Sequence, residues 1–421
     1  MVYGGLGRHV HALAEAQARL GHEVTVLTQA ADGARPDELV AGVRIVRVDT
    51  THLGLLHDDL LGWVAGLGQA LIVAGLRVGG HVQPDVLHAH DWLTCDAALA
   101  LHTALEVPLV ATVHATEAGR HQGWLPSAMS RQINAHEAQL TSASTRVITC
   151  SMAMREEVLR LFDVPPPNVD VIANGIDLAR WPVAAVSRRA RARASWGAAG
   201  PLVVCAGRLE YEKGIHTLLD ALPRLQRQHP GLRAVVAGKG TYGEELQARA
   251  HRLGLGSSVT FTGFLTDNDL AELVGAADVA VVPSLYEPSG LIALEVVALG
   301  TPLVAADTGG LRELVEPSVT GLLFPAGDPA GLARAVHTQL DDPVSARGMA
   351  RTARAALASG HDWSSIGAAT VESYRRAVTD LTRHDRASAT TAATDRLAAT
   401  APHTSGAAIP PRAGRQSPPS S

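Results

Sequence analysis

The sequence predicts an α/β protein made of two doubly wound domains, and three observations carry that reading. Short apolar segments rich in Val, Ile and Leu alternate with amphipathic stretches through both halves of the chain, the pattern of buried parallel strands joined by helices. Loops rich in glycine and turn formers follow several of those strands. At 421 residues, with 46% hydrophobic and 18% charged side chains, the chain is long enough for two full cores and a tail. A net charge of -5 gives no electrostatic reason to expect nucleic acid or an anionic membrane as partner.

Taken in order, the first-half strands are expected at Glu23 to Thr28, Val43 to Val48, Asp85 to His88, Pro108 to Val113, Arg146 to Cys150 and Val169 to Ile172. Helices are expected over 9–20, 58–77, 92–105, 127–141 and 151–161. The second half repeats the scheme, with strands at 201–207, 233–238, 259–262, 278–283, 302–305 and 321–324. Asn174-Gly175-Ile176-Asp177 is a turn signal, and the arginine- and alanine-rich stretch 187–195 has little strand character, so the connection between domains is placed at about 174–200. The expected division is 1–178 for the first domain, 179–385 for the second with a closing C-terminal helix, and 386–421 for a disordered tail.

One element is missing. Met1-Val2-Tyr3 leads straight into Gly4-Gly5-Leu6-Gly7, a glycine-rich helix entry with no strand to feed it. The first strand of a doubly wound half is central, so its loss leaves two interior edges unpaired. The expectation is a start lying upstream or an incomplete domain. No run of 18 apolar residues is free of charges or glycine punctuation, so no transmembrane segment is expected. Cys95, Cys150 and Cys205 lie far apart without metal spacing and read as buried thiols of a reducing, cytoplasmic compartment.

The sharpest chemical signal is Glu287-Pro288-Ser289-Gly290-Leu291-Ile292-Ala293-Leu294-Glu295. It follows the apolar strand 278–283, so Glu287 falls in the loop at that strand's C-terminal end. Apolar residues at 291, 294 and 298 then mark a helix face, whose first amides at Gly290 and Leu291 would be free to meet an anion. Glu295, one turn on, sits at the border of the packed side and needs partners, either ribose hydroxyls or an arginine. Only two of the 36 basic residues are lysines, Lys213 and Lys239, and both fall in loops after predicted strands. Arg208 and Lys213 flank Glu210 and Glu212 in one such loop, placed either to neutralise a diphosphate or to pair with those acids.

Gly263-Phe264, Gly238-Lys239-Gly240 and Thr308-Gly309-Gly310 are further strand-end loops expected on the same edge. Gly4-Gly5 would bring amides toward a phosphate from the other domain. His88 and His90, one residue apart, lack a third ligand of suitable spacing, and no metal is expected. Asp267-Asn268-Asp269 is expected to cap a helix starting near Leu270.

Together GGLGRHVHALA, VLHAHDWL, TVHATEAGRHQGW, NGID, GRLEYEKG and EPSGLIALE make the chain from Gly4 to about Tyr374 resemble a retaining glycosyltransferase of family four, of GT-B architecture, close to the actinobacterial α-(1,4)-glucan glucosyltransferases. The resemblance implies two Rossmann-like domains facing a cleft and glucose transfer from UDP-glucose or ADP-glucose to an α-glucan acceptor, without a cofactor or metal. It implies roles position by position. Gly5 would contact phosphate, His114 would approach the donor sugar, and Arg208 with Lys213 would hold the diphosphate. Glu287 would bind sugar hydroxyls and Glu295 the ribose, with Gly263 and Phe264 at the base.

Other acceptors (glucose 1-phosphate, a lipid or an inositol) would use the same donor site, and a non-catalytic glucan- or nucleotide-binding protein is the alternative raised by the missing strand. A dehydrogenase is disfavoured because the glycine turn lacks G-x-G-x-x-G spacing. Donor nucleotide, acceptor length and oligomeric state are not legible in these motifs.

Overall fold

The computed structural model describes residues 4–50 and 59–400. Met1-Val2-Tyr3 and residue 58 of the second expected helix lie outside them, as does the tail beyond 400. The chain opens with α1 (Gly4–Arg19), β1 (Val24–Gln29), β2 (Asp37–Val40), β3 (Val43–Val48) and α2 (Leu60–Gly79). Next come β4 (Leu87–His90), α3 (Cys95–Leu105), β5 (Leu109–Val113), the single turn α4 (Glu117–Arg120), α5 (Ala128–Ala143), β6 (Arg146–Thr149), α6 (Met152–Leu161) and β7 (Val169–Val171). The second half contains α7 (Val186–Ser195), β8 (Leu202–Ala206), α8 (Ile215–Gln228), β9 (Arg233–Ala237), α9 (Gly243–Arg252), β10 (Val259–Gly263) and α10 (Asp267–Ala276). It continues through β11 (Val279–Val282), α11 (Leu291–Ala298), β12 (Leu303–Ala306), α12 (Leu311–Leu314), β13 (Leu322–Phe324), α13 (Pro329–Asp341), α14 (Pro343–Gly360) and α15 (Trp363–Thr400).

The second half forms one six-stranded parallel sheet in the order β10-β9-β8-β11-β12-β13. Its strands are apolar on both faces because helices cover both. On one face α8 buries Ile215, Leu218, Leu219, Leu222 and Leu225, each contributing roughly 1.5–3 kcal/mol. The strand order runs outward in opposite directions from β8 and β11, so the loops after these two strands open a crevice at their C-terminal ends. That switch point positions the site.

The first half contains two sheets among the described residues. Strands β1-β3-β2 make a three-stranded sheet with β2 antiparallel, and β4-β5-β6-β7 a parallel four-stranded one. Among the described residues β1 pairs only with β3 and β4 only with β5, leaving one free edge on each. The short β2 escapes the sequence reading because Asp37-Glu38-Leu39-Val40 carries two acids and is largely exposed. Helix α2 is long and apolar enough to cross a membrane by length and composition, but Val64, Leu67, Leu71 and Ala74 are buried in the protein core.

Three expectations are corrected. Helix α1 begins at Gly4, not near residue 9, so Gly4 and Gly5 form its first turn. The stretch at 187–195, expected within a connection, lies in α7, because Ala and Arg favour helix and Arg193 is tied to Asp278 at 2.7 Å and to the Gly200 carbonyl at 2.7 Å. The tail expected from 386 is helical to Thr400, since Ala is the commonest residue there and the first proline and glycine beyond 386 are Pro402 and Gly406.

Within the unit that spans residues 1–378, the first turns of α15 return to the first half. Tyr374 Oη is 2.6 Å from His88 Nδ1 and accepts from Gln17 Nε2 at 3.0 Å. Ser373 Oγ donates to Asp170 at 2.7 Å. Tyr374→Phe leaves two interior polar groups without this partner, and urea unfolding should show a loss of about 1–3 kcal/mol with the overall fold retained.

Candidate active site

The loop after β8 turns at Gly214, whose φ of 63° suits glycine, and a side chain there would collide with the Pro283 carbonyl. This close approach sets the loops after β8 and β11 side by side. Lys213 Nζ donates to Glu287 Oε2 at 2.8 Å, and Ser284 Oγ donates to the same oxygen at 2.9 Å. Glu287 is 6% exposed. Burial pushes its carboxyl up, but the Lys213 ammonium, helped by Ser284 and the Gly290 amide, outweighs burial and holds it below the usual value. The carboxylate is therefore ionised at neutral pH.

The Gly290 amide thus turns back on Glu287 and is not a free donor, as the sequence had suggested it would be. Gly290 enters α11 at φ 74°. Gly309 and Gly310 close the loop from the β12 side: the Gly310 N–H donates to the Glu287 carbonyl at 2.9 Å, and a side chain at Gly309 would strike that carbonyl.

Helix α11 is buried all round, because α14 covers the face away from the sheet. Glu295, expected at a border, is interior at 5% exposure. Its Oε1 accepts from Arg8 Nη1 at 2.6 Å, while Oε2 is buried with no hydrogen-bond partner among the described residues. Burial, against Arg8 and with Asp267 nearby, raises the carboxyl to about 7. Of the two partners the sequence left open, an arginine holds one oxygen. Arg8 also lies 3.7 Å from Asp267, which is in the first turn of α10; the cap is Thr266, accepting from the Asp269 amide, and not the aspartates expected.

Arg208 does not reach this pair. It is exposed, and donates to Glu212 Oε1 at 2.8 Å, the surface pairing that the sequence left open. Glu212 also lies 3.6 Å from Arg120 of α4. Gly263 ends β10 at φ 73°, Phe264 is 58% exposed beside it, and Lys239 is an exposed neighbour of Gly263. Glu210 binds Thr241.

From the first half, Gly5 puts the start of α1 against α11, where a side chain on Gly5 would come within 2.7 Å of Leu291. His114 follows β5; its N–H donates to Asp91 Oδ1 at 2.7 Å, and its Nε2 lies 3.1 Å from His90 Nδ1. Burial lowers His114 to about 4, so the ring is neutral and hydrogen-bonds without carrying charge. Thr116 N–H donates to Tyr286 Oη at 3.1 Å, and Tyr286 Oη donates to Glu157 at 2.7 Å. Ser151 Oγ donates to the Pro288 carbonyl at 2.7 Å, and Glu313 accepts the first amides of α6, from Met152 and Ala153, at 2.9 Å each.

Sequence reasoning missed Arg8, Ser284, Tyr286, Asp91 and Glu313. Arg8 left a trace, since it stands one turn from Gly4-Gly5, but its partner lies 287 residues away.

Two predictions follow, one from the Lys213–Glu287 pair and one from Glu295. Lys213→Ala strands a buried carboxylate and should cost about 3–5 kcal/mol by chemical denaturation, and Lys213→Met with Glu287→Gln should recover most of that. In the second, the Glu295 carboxyl, followed by NMR from pH 5 to 9, should titrate near 7, and Arg8→Ala should raise that midpoint.

Two family models cover the two halves: Glycosyltransferase Family 4 matches residues 3–180 and Glycosyl transferases group 1 matches residues 187–356. A glycogen synthase of Mycobacterium tuberculosis is 46% identical over 389 residues, 89% of this chain and 91% of its own length. A D-inositol 3-phosphate glycosyltransferase of Kineococcus radiotolerans is 34% identical, covering 90% and 91%. The solved sucrose-phosphate synthase of Thermosynechococcus elongatus superposes with a TM-score of 0.76 at 26% identity, over 89% of this chain and 93% of that one. The chain belongs to the family-four glycosyltransferases of GT-B architecture, whose donors are nucleotide sugars.

Proposed function

We propose that this glycosyltransferase moves glucose from a nucleotide diphosphate glucose, UDP-glucose or ADP-glucose, to the 4-hydroxyl of an α-glucan with retention at the anomeric carbon. The observation that carries the donor reading is the unpartnered, buried Oε2 of Glu295, on the helix whose entry adjoins the Lys213–Glu287 pair. A ribose hydroxyl donating to that oxygen removes the cost of leaving it unpaired. The likeness to a glycogen synthase at 46% identity supports glucan as acceptor. The three buried free cysteines suit a reducing, cytoplasmic setting.

Departure of the diphosphate builds negative charge at its β-phosphate. Lys213, half inside the crevice, is the fixed cation for that charge, and Arg208 joins it by exchanging Glu212 for phosphate. Retention is accounted for by attack from the face the diphosphate leaves. The bond from the anomeric carbon to phosphate oxygen breaks, the bond to the acceptor oxygen forms on the same side, and the acceptor proton passes to the departing phosphate. Glu287 is committed to Lys213 and Ser284, and orients sugar hydroxyls; it is not the nucleophile. Neutral His114 approaches the hexose from the first half.

Incubating the full chain with each labelled nucleotide-glucose and glycogen, glucose 1-phosphate or inositol phosphate identifies the acceptor. Elongation of glycogen is expected, and exclusive labelling of a small phosphorylated acceptor would reject the glucan assignment. Lys213→Arg should lower kcat on the order of a hundredfold while glycogen binding is unchanged.

A further inference from the structure

The sequence offered His88 and His90 without a third ligand; the fold supplies two more imidazoles. His9, from the second turn of α1, and His114, after β5, converge with His90 so that one ring nitrogen of each lies within 4.8 Å of the others. We propose that His9, His90 and His114 form a binding site for a divalent transition-metal ion of the zinc type.

Three observations support it. The His90 Nδ1 to His114 Nε2 separation of 3.1 Å is near the roughly 3.4 Å between two nitrogens on one tetrahedral zinc, as bond lengths of about 2.0–2.1 Å require. His9 is 6% exposed and its ring stands edge-on to both others, with centroids 4.7 Å from His114 and 5.6 Å from His90. Asp91, which accepts the His114 N–H, places a carboxyl next to the cluster to offset the ion's charge.

The chemistry balances without an added reactant. The proton shared by His90 and His114 moves to the outer nitrogen of the ring that carries it, freeing both facing lone pairs. His88 takes no part, because Tyr374 and Thr112 occupy both its nitrogens. Three imidazoles leave a fourth position for water. A metal here engages His114, so it should inhibit transfer; that consequence alone rests on the donor-site reading.

The direct test uses the untagged full chain, stripped with a chelator and titrated with Co2+, whose visible absorption reports tetrahedral nitrogen ligation. Saturation at one equivalent and displacement by Zn2+ are expected. His9→Gln and His90→Gln should each weaken binding by more than about tenfold, since even outer partners of a ligand are worth roughly 10–100-fold. His251→Gln, at an exposed position, should leave it unchanged. Circular dichroism checks folding, and if His90→Gln does not fold, His9→Gln decides. Failure to saturate, or equal affinity in His9→Gln, overturns the site. Neither outcome bears on the glucosyl transfer assay, which is run in chelator.

Discussion

The buried ion pair between Lys213 and Glu287 is the constraint on which the site depends. A carboxylate 6% exposed persists only where its charge is met, and Lys213 meets it from the adjacent loop at 2.8 Å. The pair exists because β8 and β11 are neighbours at the point where the strand order reverses. Gly214, Gly290 and Gly309, each at positive φ, let three loops approach closely enough to enclose it.

The same loop is the place where the two halves of the chain meet. Ser151 holds the Pro288 carbonyl, Tyr286 reaches Thr116 and Glu157, and Arg8 reaches Glu295. These contacts are mostly polar, the character of an interface between domains of one chain. Arg8 offsets part of the burial cost of Glu295, and under the proposed donor reading a nucleotide would share or displace it.

Much of this was legible in the sequence because it is local. Alternating apolar runs located every strand of the six-stranded sheet to within a residue or two, and the spacing of Glu287 and Glu295 announced a strand, a turn and a helix. Lys213 stood out by its rarity. What stayed hidden was non-local. Arg8 meets Glu295 across 287 residues, the cover of α11 by α14 is invisible in an eight-residue helix, and the histidine cluster draws on three separate elements.

The most direct measurement is a crystal structure of the full chain with UDP-glucose or ADP-glucose. The account predicts the diphosphate beside Lys213 and the entry of α11, a ribose hydroxyl on Glu295 Oε2, and the hexose between Glu287 and His114. A nucleotide bound with its ribose away from Glu295, or a diphosphate out of reach of Lys213, would contradict it.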